Sequence, residues 1–270
     1  MTKHITAHRG GFETGWNEVL GLKQRHDDAG LALAILRLEA GERFEDRPEV
    51  ETAWLLLDGA GHWSLDGRTV QVARHSLFEQ AGAVAHLCRG AQLDIQAEQA
   101  CELACLRTIN DRVFEPRLFS ASEVREEVRG QGSVDGAATR VVRTVFDDSN
   151  SSAEARLVLG EVVHAPGRWS SYPPHHHPQP ELYHYRFTAP QGYGHAELGD
   201  DVLRVQNNDT VKILDAVDHA QVAAPGYGMY YIWAIRHLDD ARYVQPEFTE
   251  AHRWTLDPDA PQWRPPWSAR

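Results

Sequence analysis

Residues 157–187 read LVLGEVVHAPGRWSSYPPHHHPQPELYHYRF, and the order of signals within them decides the fold. The apolar run from Leu157 to Val163 reads as a strand, Pro166-Gly167 as a turn, and Leu182 to Phe187 as a second strand. Between the strands, the prolines from Pro173 to Pro180 hold the chain extended and deny it to a helix. Side chains of an extended segment alternate, so His175 and His177 point one way and His176 the other. Glu181, Tyr183 and Tyr185 keep the parity of the first two. Two imidazoles and a carboxylate can thus converge on one cavity, as N and O donors that Zn, Mn, Fe, Co or Ni accept. A fourth ligand has to come from elsewhere, and His219, in a loop between two later strands, is the candidate. Three adjacent histidines also arise as accidental surface runs or tag-like metal binders. The following Glu181, the tyrosine-rich strand and the distant His219 favour a built site, with His176 left outside it as a solvent-facing or supporting residue.

Outward from this stretch the chain keeps the same character. Short runs rich in Val, Leu, Ile and aromatics, such as Leu31 to Leu38, Trp54 to Leu57 and Tyr227 to Ile235, are punctuated by Gly, Asp, Asn and Pro. Many short strands at intervals of about 8 to 12 residues predict an all-β, antiparallel sandwich or jelly-roll barrel with few short helices. The first half repeats the theme of the second. Leu33 to Leu38 leads through Ala40-Gly41 to an acidic turn, then to Thr52–Leu57, and later to Ala85-His86-Leu87. Strand, glycine turn, polar cluster, strand and closing histidine is the order of a cupin barrel, so a two-barrel cupin (a bicupin) is expected. The expected division is an N-terminal barrel over 1–115, a connector over 116–139 and a C-terminal barrel over 140–270. Within the connector, Ser122 to Arg129 is a charged segment ended by Gly130 and is the best helix candidate. At the turn matching the histidines, the first half has Glu42-Arg43-Phe44-Glu45-Asp46-Arg47 and no His-x-His, so its barrel reads as metal-free. His4, His8, His26, His62 and His75 have no companions at ligand spacing and read as surface or polar-core residues.

Bulk properties set the boundaries. At 270 residues there is room for two barrels, and 42% hydrophobic with 24% charged residues is ordinary globular composition. A formal net charge of -12 argues against nucleic acid or a membrane surface as partner. No apolar run approaches the roughly 20 residues that span a bilayer, and Met1 is followed by polar Thr2-Lys3-His4, so a soluble cytoplasmic protein is expected. Cys88, Cys101 and Cys105 form an odd set without a CxxC pair, expected to be small buried apolar residues in a reducing compartment.

The segment Pro166-Gly167-Arg168-Trp169-Ser170-Ser171-Tyr172-Pro173-Pro174-His175-His176-His177 resembles the 5-deoxy-glucuronate isomerase family of inositol catabolism, itself related to 5-dehydro-4-deoxy-D-glucuronate isomerase of pectin breakdown. Glu181 to Phe187, Pro190-Gln191-Gly192-Tyr193-Gly194, Val217 to Ala220 and Pro225 to Tyr231 are similar to further motifs of that family, as is Arg140 to Asp147 upstream. The resemblance covers roughly residues 140 to 260. It implies a divalent metal ion held by His175, His177, Glu181 and His219, zinc or manganese among the choices. It also implies an aldose–ketose isomerisation of 5-deoxy-D-glucuronate to 5-dehydro-2-deoxy-D-gluconate. His176 stands where the family has lysine, and no acidic residue follows His177. The reaction needs a proton moved between C2 and C1 and a stabilised enediolate. Glu181 exchanging between ligand and base roles, a metal-bound hydroxide, or a nearby carboxylate such as Glu161 is the candidate base, and Tyr183, Tyr185 and Tyr231 are candidate hydrogen-bond donors. For the carboxylate of a sugar-acid substrate the candidate cations are Arg143, Arg168, Arg186 and Lys212. Three alternatives remain: the pectin-derived uronate as substrate, an Fe(II) cupin oxygenase at the same ligands, and a non-enzymatic sugar-binding bicupin. A homo-oligomer is compatible with apolar barrel faces.

Overall fold

The computed structural model describes residues 3–22 and 29–267, so His26 lies outside the described residues. Among these, the strands form three antiparallel sheets, joined by short 3-10 helices at Ala121–Glu123, Val134–Gly136 and Glu250–Leu256. This is the all-β, double-barrel architecture that the spacing of the strands predicts.

In the first half, one sheet runs in the order Arg117–Phe119, Val84–Leu87, Glu51–Leu65, Cys101–Thr108, Leu31–Leu38, Gly15–Leu20. The long strand Glu51–Leu65 continues into a second layer, where it pairs with Arg68–Arg74 and Leu93–Ala97. The second half has a seven-stranded sheet and a five-stranded one. The larger sheet contains Thr210–Ile213, Glu181–Phe187, Met229–Arg236, Leu157–His164 and Arg140–Phe146 in that order. The smaller is ordered Asp201–Gln206, Tyr193–Leu198, His219–Ala223, Trp169–His176, Glu247–Phe248.

Alternation along these strands separates three cores. Leu36, Trp54, Leu56 and Trp63 fill the first barrel. Tyr183, Tyr185, Val211 and Tyr231 lie within the second. Leu33, Ile35, Leu55 and Leu106 of the first half meet Leu159, Leu182, Tyr230 and Ile232 of the second in a shared core between the large sheets. Cys88, Cys101 and Cys105 are free and buried, as small apolar residues would be.

Two features depart from the sequence reading. Ser122 to Arg129 is not a helix. A 3-10 turn capped reciprocally by Ser120 and Glu123 gives way to the strand Arg125–Arg129, which pairs antiparallel with Arg140–Phe146 at the sheet edge. Charge on both faces suits an exposed edge strand, where it blocks further pairing, and it mimics the polar surface of a helix. Arg117–Phe119 pairs instead with Val84–Leu87, so residues 116–139 contribute a strand to each half. The second departure is at the N-terminus. His4–Ile5 adds a strand to the second half's sheet beside Thr210–Ile213, and the buried Asp209 accepts hydrogen bonds from His4 at 2.8 Å and from Arg9 at 2.6 and 2.7 Å.

His86, the late histidine of the first half, has a structural role. Its Nε2–H donates to the buried Glu51 carboxylate at 2.7 Å, and its ring stacks on Phe146. Glu51 also accepts from Asn110 and from the backbone N–H groups of Arg156 and Leu157, at 2.7 to 2.9 Å, which ties the two halves together. Burial opposes the charge on Glu51, but the donors, His86 first, outweigh it and hold the carboxyl below its ordinary value. A depressed carboxylate contributes stability above its unfolded pKa, which is lost as pH falls through the lower folded value. Glu51→Gln should therefore cost about 2–4 kcal/mol at pH 7, with the gap to wild type narrowing below about pH 4. Denaturant melts at pH 7 and at successively lower pH check this, and equal stability at pH 7 contradicts it.

Candidate metal centre

The histidine-rich segment sits where the chain crosses between the sheets of the second barrel. Trp169–His176 belongs to the five-stranded sheet and Glu181–Phe187 to the seven-stranded one, with His177 to Pro180 bridging them. His175 lies directly opposite His219 on the neighbouring antiparallel strand, which brings a residue 44 positions away to the site. One nitrogen each of His177 and His219 and one oxygen of Glu181 lie within 4.8 Å of one another, and all three residues are buried. His175 stands against this trio, its ring centroid 4.4 Å from that of His219 and 6.4 Å from that of His177. His176 points away, to Asp218 at 2.7 Å and Glu247 at 3.7 Å.

Hydrogen bonds orient the imidazoles. His177 Nδ1 is 2.9 Å from the Gln179 carbonyl and His219 Nδ1 is 3.1 Å from that of Val217. Carbonyls only accept, so both Nδ1 atoms carry a proton, and both Nε2 atoms face the Glu181 carboxylate, at 3.2 and 3.4 Å. His219 Nε2 and His175 Nδ1 have no hydrogen-bond partner, although both are buried. Burial first, then the neighbouring His219, pushes His175 down to about 3, so its ring is neutral at neutral pH. For Glu181, burial favours the neutral form, but His177 and His219 prevail and hold it down to about 2. Imidazoles with unpartnered buried nitrogens beside an ionised carboxylate fit a divalent cation, and such nitrogens are costly to bury without a partner.

The trio opens onto a cavity of about 280 Å³, sized for a small molecule rather than a polymer. Tyr183, Tyr231 and Trp233 form its floor, and Tyr243 closes one side with its ring 4.9 Å from that of His177. Trp233 lies over Gly160, where a β-carbon would come within 2.5 Å of the indole, so only glycine admits it. Tyr183 and Tyr231 share the hydroxyl of Ser171 at 3.1 and 3.3 Å, and Tyr231 also meets Ser170 at 2.9 Å. Burial raises both phenols, Tyr231 to about 12, so both are neutral donors at neutral pH.

Other expected residues are placed elsewhere. Tyr185 is buried deeper and donates to Gln221 at 2.6 Å. Glu161 faces the other barrel, against Arg74 at 2.7 Å and the Tyr230 hydroxyl, and so cannot act as base in this cavity. Arg143 donates to the Leu77 and Gln80 carbonyls on that same side, and Arg186 to Glu102. Arg168 is exposed, and neither it nor Lys212 lines the cavity. The cations that do are Arg125, Arg129 and Arg140.

A small-molecule cavity with a histidine–carboxylate cluster, in one of two β-barrels, defines a cupin-type protein. A cupin barrel-domain protein of Leptotrichia buccalis superposes with a TM-score of 0.52 over 86% of this chain and 95% of that one, at 13% identity. The chain belongs to the KduI/IolB family, whose model matches residues 7–255. An IolB-like protein from Salmonella typhimurium LT2 has a crystal structure that covers 91% of this chain and 97% of its own, with a TM-score of 0.79 and 25% identity. A 5-deoxy-glucuronate isomerase of Shouchella clausii is 29% identical over 197 residues, 63% of this chain and 70% of that protein.

Sequence reasoning missed Tyr243 and the three arginines. Tyr243 follows no spacing rule; its loop is fixed by Gln179, which donates to the Ala241 carbonyl at 2.8 Å, and by Arg242, 2.5 Å from Asp148. The helical reading of Ser122 to Arg129 hides Arg125 and Arg129, and the place of Arg140 in the cavity follows only from the pairing of its strand with Arg125–Arg129.

Replacing both His175 and His177 by alanine should leave the circular dichroism spectrum intact and remove bound metal. Elemental analysis reads the result: about one equivalent in wild type and none in the double variant. A double variant that retains its metal contradicts the site.

Proposed function

We propose that the protein is a metal-dependent aldose–ketose isomerase that converts 5-deoxy-D-glucuronate to 5-dehydro-2-deoxy-D-gluconate in myo-inositol catabolism. The observation that carries this reading is the convergence of His177, Glu181 and His219 at the end of a small-molecule cavity in a chain of the KduI/IolB family. The Shouchella relative's activity supports the choice of substrate over the pectin-derived 5-dehydro-4-deoxy-D-glucuronate. His175, His177, Glu181 and His219 are the assigned ligands, zinc or manganese the assigned ion, and the first barrel is assigned no metal. The expected setting is the cytoplasm, which suits three free cysteines; among the described residues no helix is long and apolar enough to cross a membrane.

A divalent ion at these ligands would polarise the carbonyl and adjacent hydroxyl of the sugar and acidify the C2 proton. The chain's own groups do the rest. Glu181 is ionised and faces the cavity, so, exchanging between ligand and base roles, it is the carboxylate assigned to take the C2 proton and return it to C1, while the O2 hydroxyl proton passes to O1. At about 2 it is a weak base alone, which is why the acidified C–H matters. The neutral Tyr183 and Tyr231 hydroxyls, aligned by Ser170 and Ser171, donate hydrogen bonds to oxygen as enediolate charge develops. Tyr185, committed to Gln221, keeps the barrel wall rigid beneath them.

The metal-loaded protein should isomerise 5-deoxy-D-glucuronate equally well in air and under nitrogen. Chelator treatment should abolish turnover, and added zinc or manganese should restore it. A need for O2 points to an oxygenase, and turnover in metal-free protein overturns the mechanism.

A further inference from the structure

We propose that Arg140, with Arg129 beside it, anchors the carboxylate end of the substrate in the cavity that the metal ligands also line. The inference rests on the uronate-isomerase reading and specifies how that site recognises an acid.

Arg129 lies directly opposite Arg140 on adjacent antiparallel strands, and both line the cavity. Like charges placed opposite each other across a strand pair are destabilising, and this chain carries a net charge of -12, so the pairing is no reflection of abundant cations. Arg129 is offset by Glu127 on its own strand, and Arg125 by Asp147 at 2.6 Å. Arg140 differs from both. No carboxylate lies within ion-pair distance of it among the described residues, and its guanidinium makes one hydrogen bond, to the Ala138 carbonyl at 2.9 Å. The buried arginines elsewhere have carboxylate partners: Arg74 pairs with Glu161, Arg143 with Glu126 and Arg186 with Glu102.

The position of Arg140 is also built. Gly130, at φ +78°, occupies a conformation that L side chains avoid, and a β-carbon there would stand 2.9 Å from Arg140 Nη1 and 2.3 Å from the Ala138 carbonyl oxygen. The glycine thus makes room for the guanidinium beside its carbonyl partner. Burial works against the charge on Arg140, yet an arginine remains cationic at neutral pH. A half-buried guanidinium with donors to spare, aimed into a small-molecule cavity, fits an anion, and its planar fork matches a carboxylate bidentately. A sugar acid held by its carbonyl end at His177, Glu181 and His219 and by its acid end at Arg140 spans the cavity in one orientation. Neutral sugars lack the second anchor.

Arg140→Met and Arg140→Lys, each confirmed to hold wild-type metal content, test this on two readouts. With 5-deoxy-D-glucuronate, Arg140→Met should raise KM about 100-fold, as loss of a charge-assisted pair implies, while kcat changes far less. Arg140→Lys should recover part of that loss. By calorimetry, metal-loaded wild type should bind D-glucuronate at least about 10-fold more tightly than D-glucose, and Arg140→Met should lose the preference. An unchanged KM in Arg140→Met overturns the proposal, as does a wild type that does not prefer the acid. If Arg140→Met fails to fold, Arg140→Lys decides: a KM raised several-fold with kcat retained supports the anchor, and an unchanged KM overturns it. A wild type that prefers D-glucuronate through Arg140 but does not isomerise 5-deoxy-D-glucuronate refutes the isomerase reading and leaves the anchor standing.

Discussion

The two-residue alternation of the central strands of the seven-stranded sheet is the constraint from which the rest follows. One face of that sheet carries Leu159, Leu182, Tyr230 and Ile232 into the core shared with the first barrel. The other carries Glu181, Tyr183 and Tyr231 into the cavity of the second. A slip of one residue in any of these strands would exchange the faces. It would put Glu181 into the apolar core between the sheets and replace Tyr231 in the cavity by one of its apolar neighbours. Packing of the two barrels against each other therefore fixes which side chains can do chemistry.

The same alternation sorts the buried charges. Glu51 and Glu161 lie toward the seam between the halves, and each is surrounded by donors from this chain: His86, Asn110 and two backbone N–H groups for one, Arg74 and Tyr230 for the other. Those carboxylates hold the halves together. Glu181 faces the cavity with the Nε2 atoms of His177 and His219 beside it, and the Nδ1 protons of both rings are already engaged by backbone carbonyls. A buried carboxylate ringed by imidazole nitrogens is a donor set suited to a divalent cation. That contrast separates the structural carboxylates from the chemical one.

Much of this was legible in the residues themselves. The prolines around His175 to His177 favour an extended chain, so parity puts His175 and His177 on one side and Glu181 with Tyr183 on another strand's face, while the bend at 178–179 between the two sheets brings the pairs together; strand spacing predicts the barrels. Other features depend on pairings that no local pattern reveals. Whether Arg125 to Arg129 is helix or strand is decided by its partner Arg140–Phe146, and only as a strand does it show its arginines to the cavity. The same holds for Glu161 and Arg143, which oppose each other in register and share the face turned to the first barrel. His4 and Arg9 reach Asp209, some 200 residues away, a contact that tertiary packing alone specifies.

The most direct test is a crystal structure of the protein soaked in zinc or manganese, with anomalous diffraction recorded at the metal edge. The account predicts one strong peak per chain, about 2.0–2.2 Å from the Nε2 atoms of His177 and His219 and from a Glu181 oxygen, with His175 turned toward it. A peak outside this cluster, or none at a metal concentration that saturates binding in solution, would contradict it.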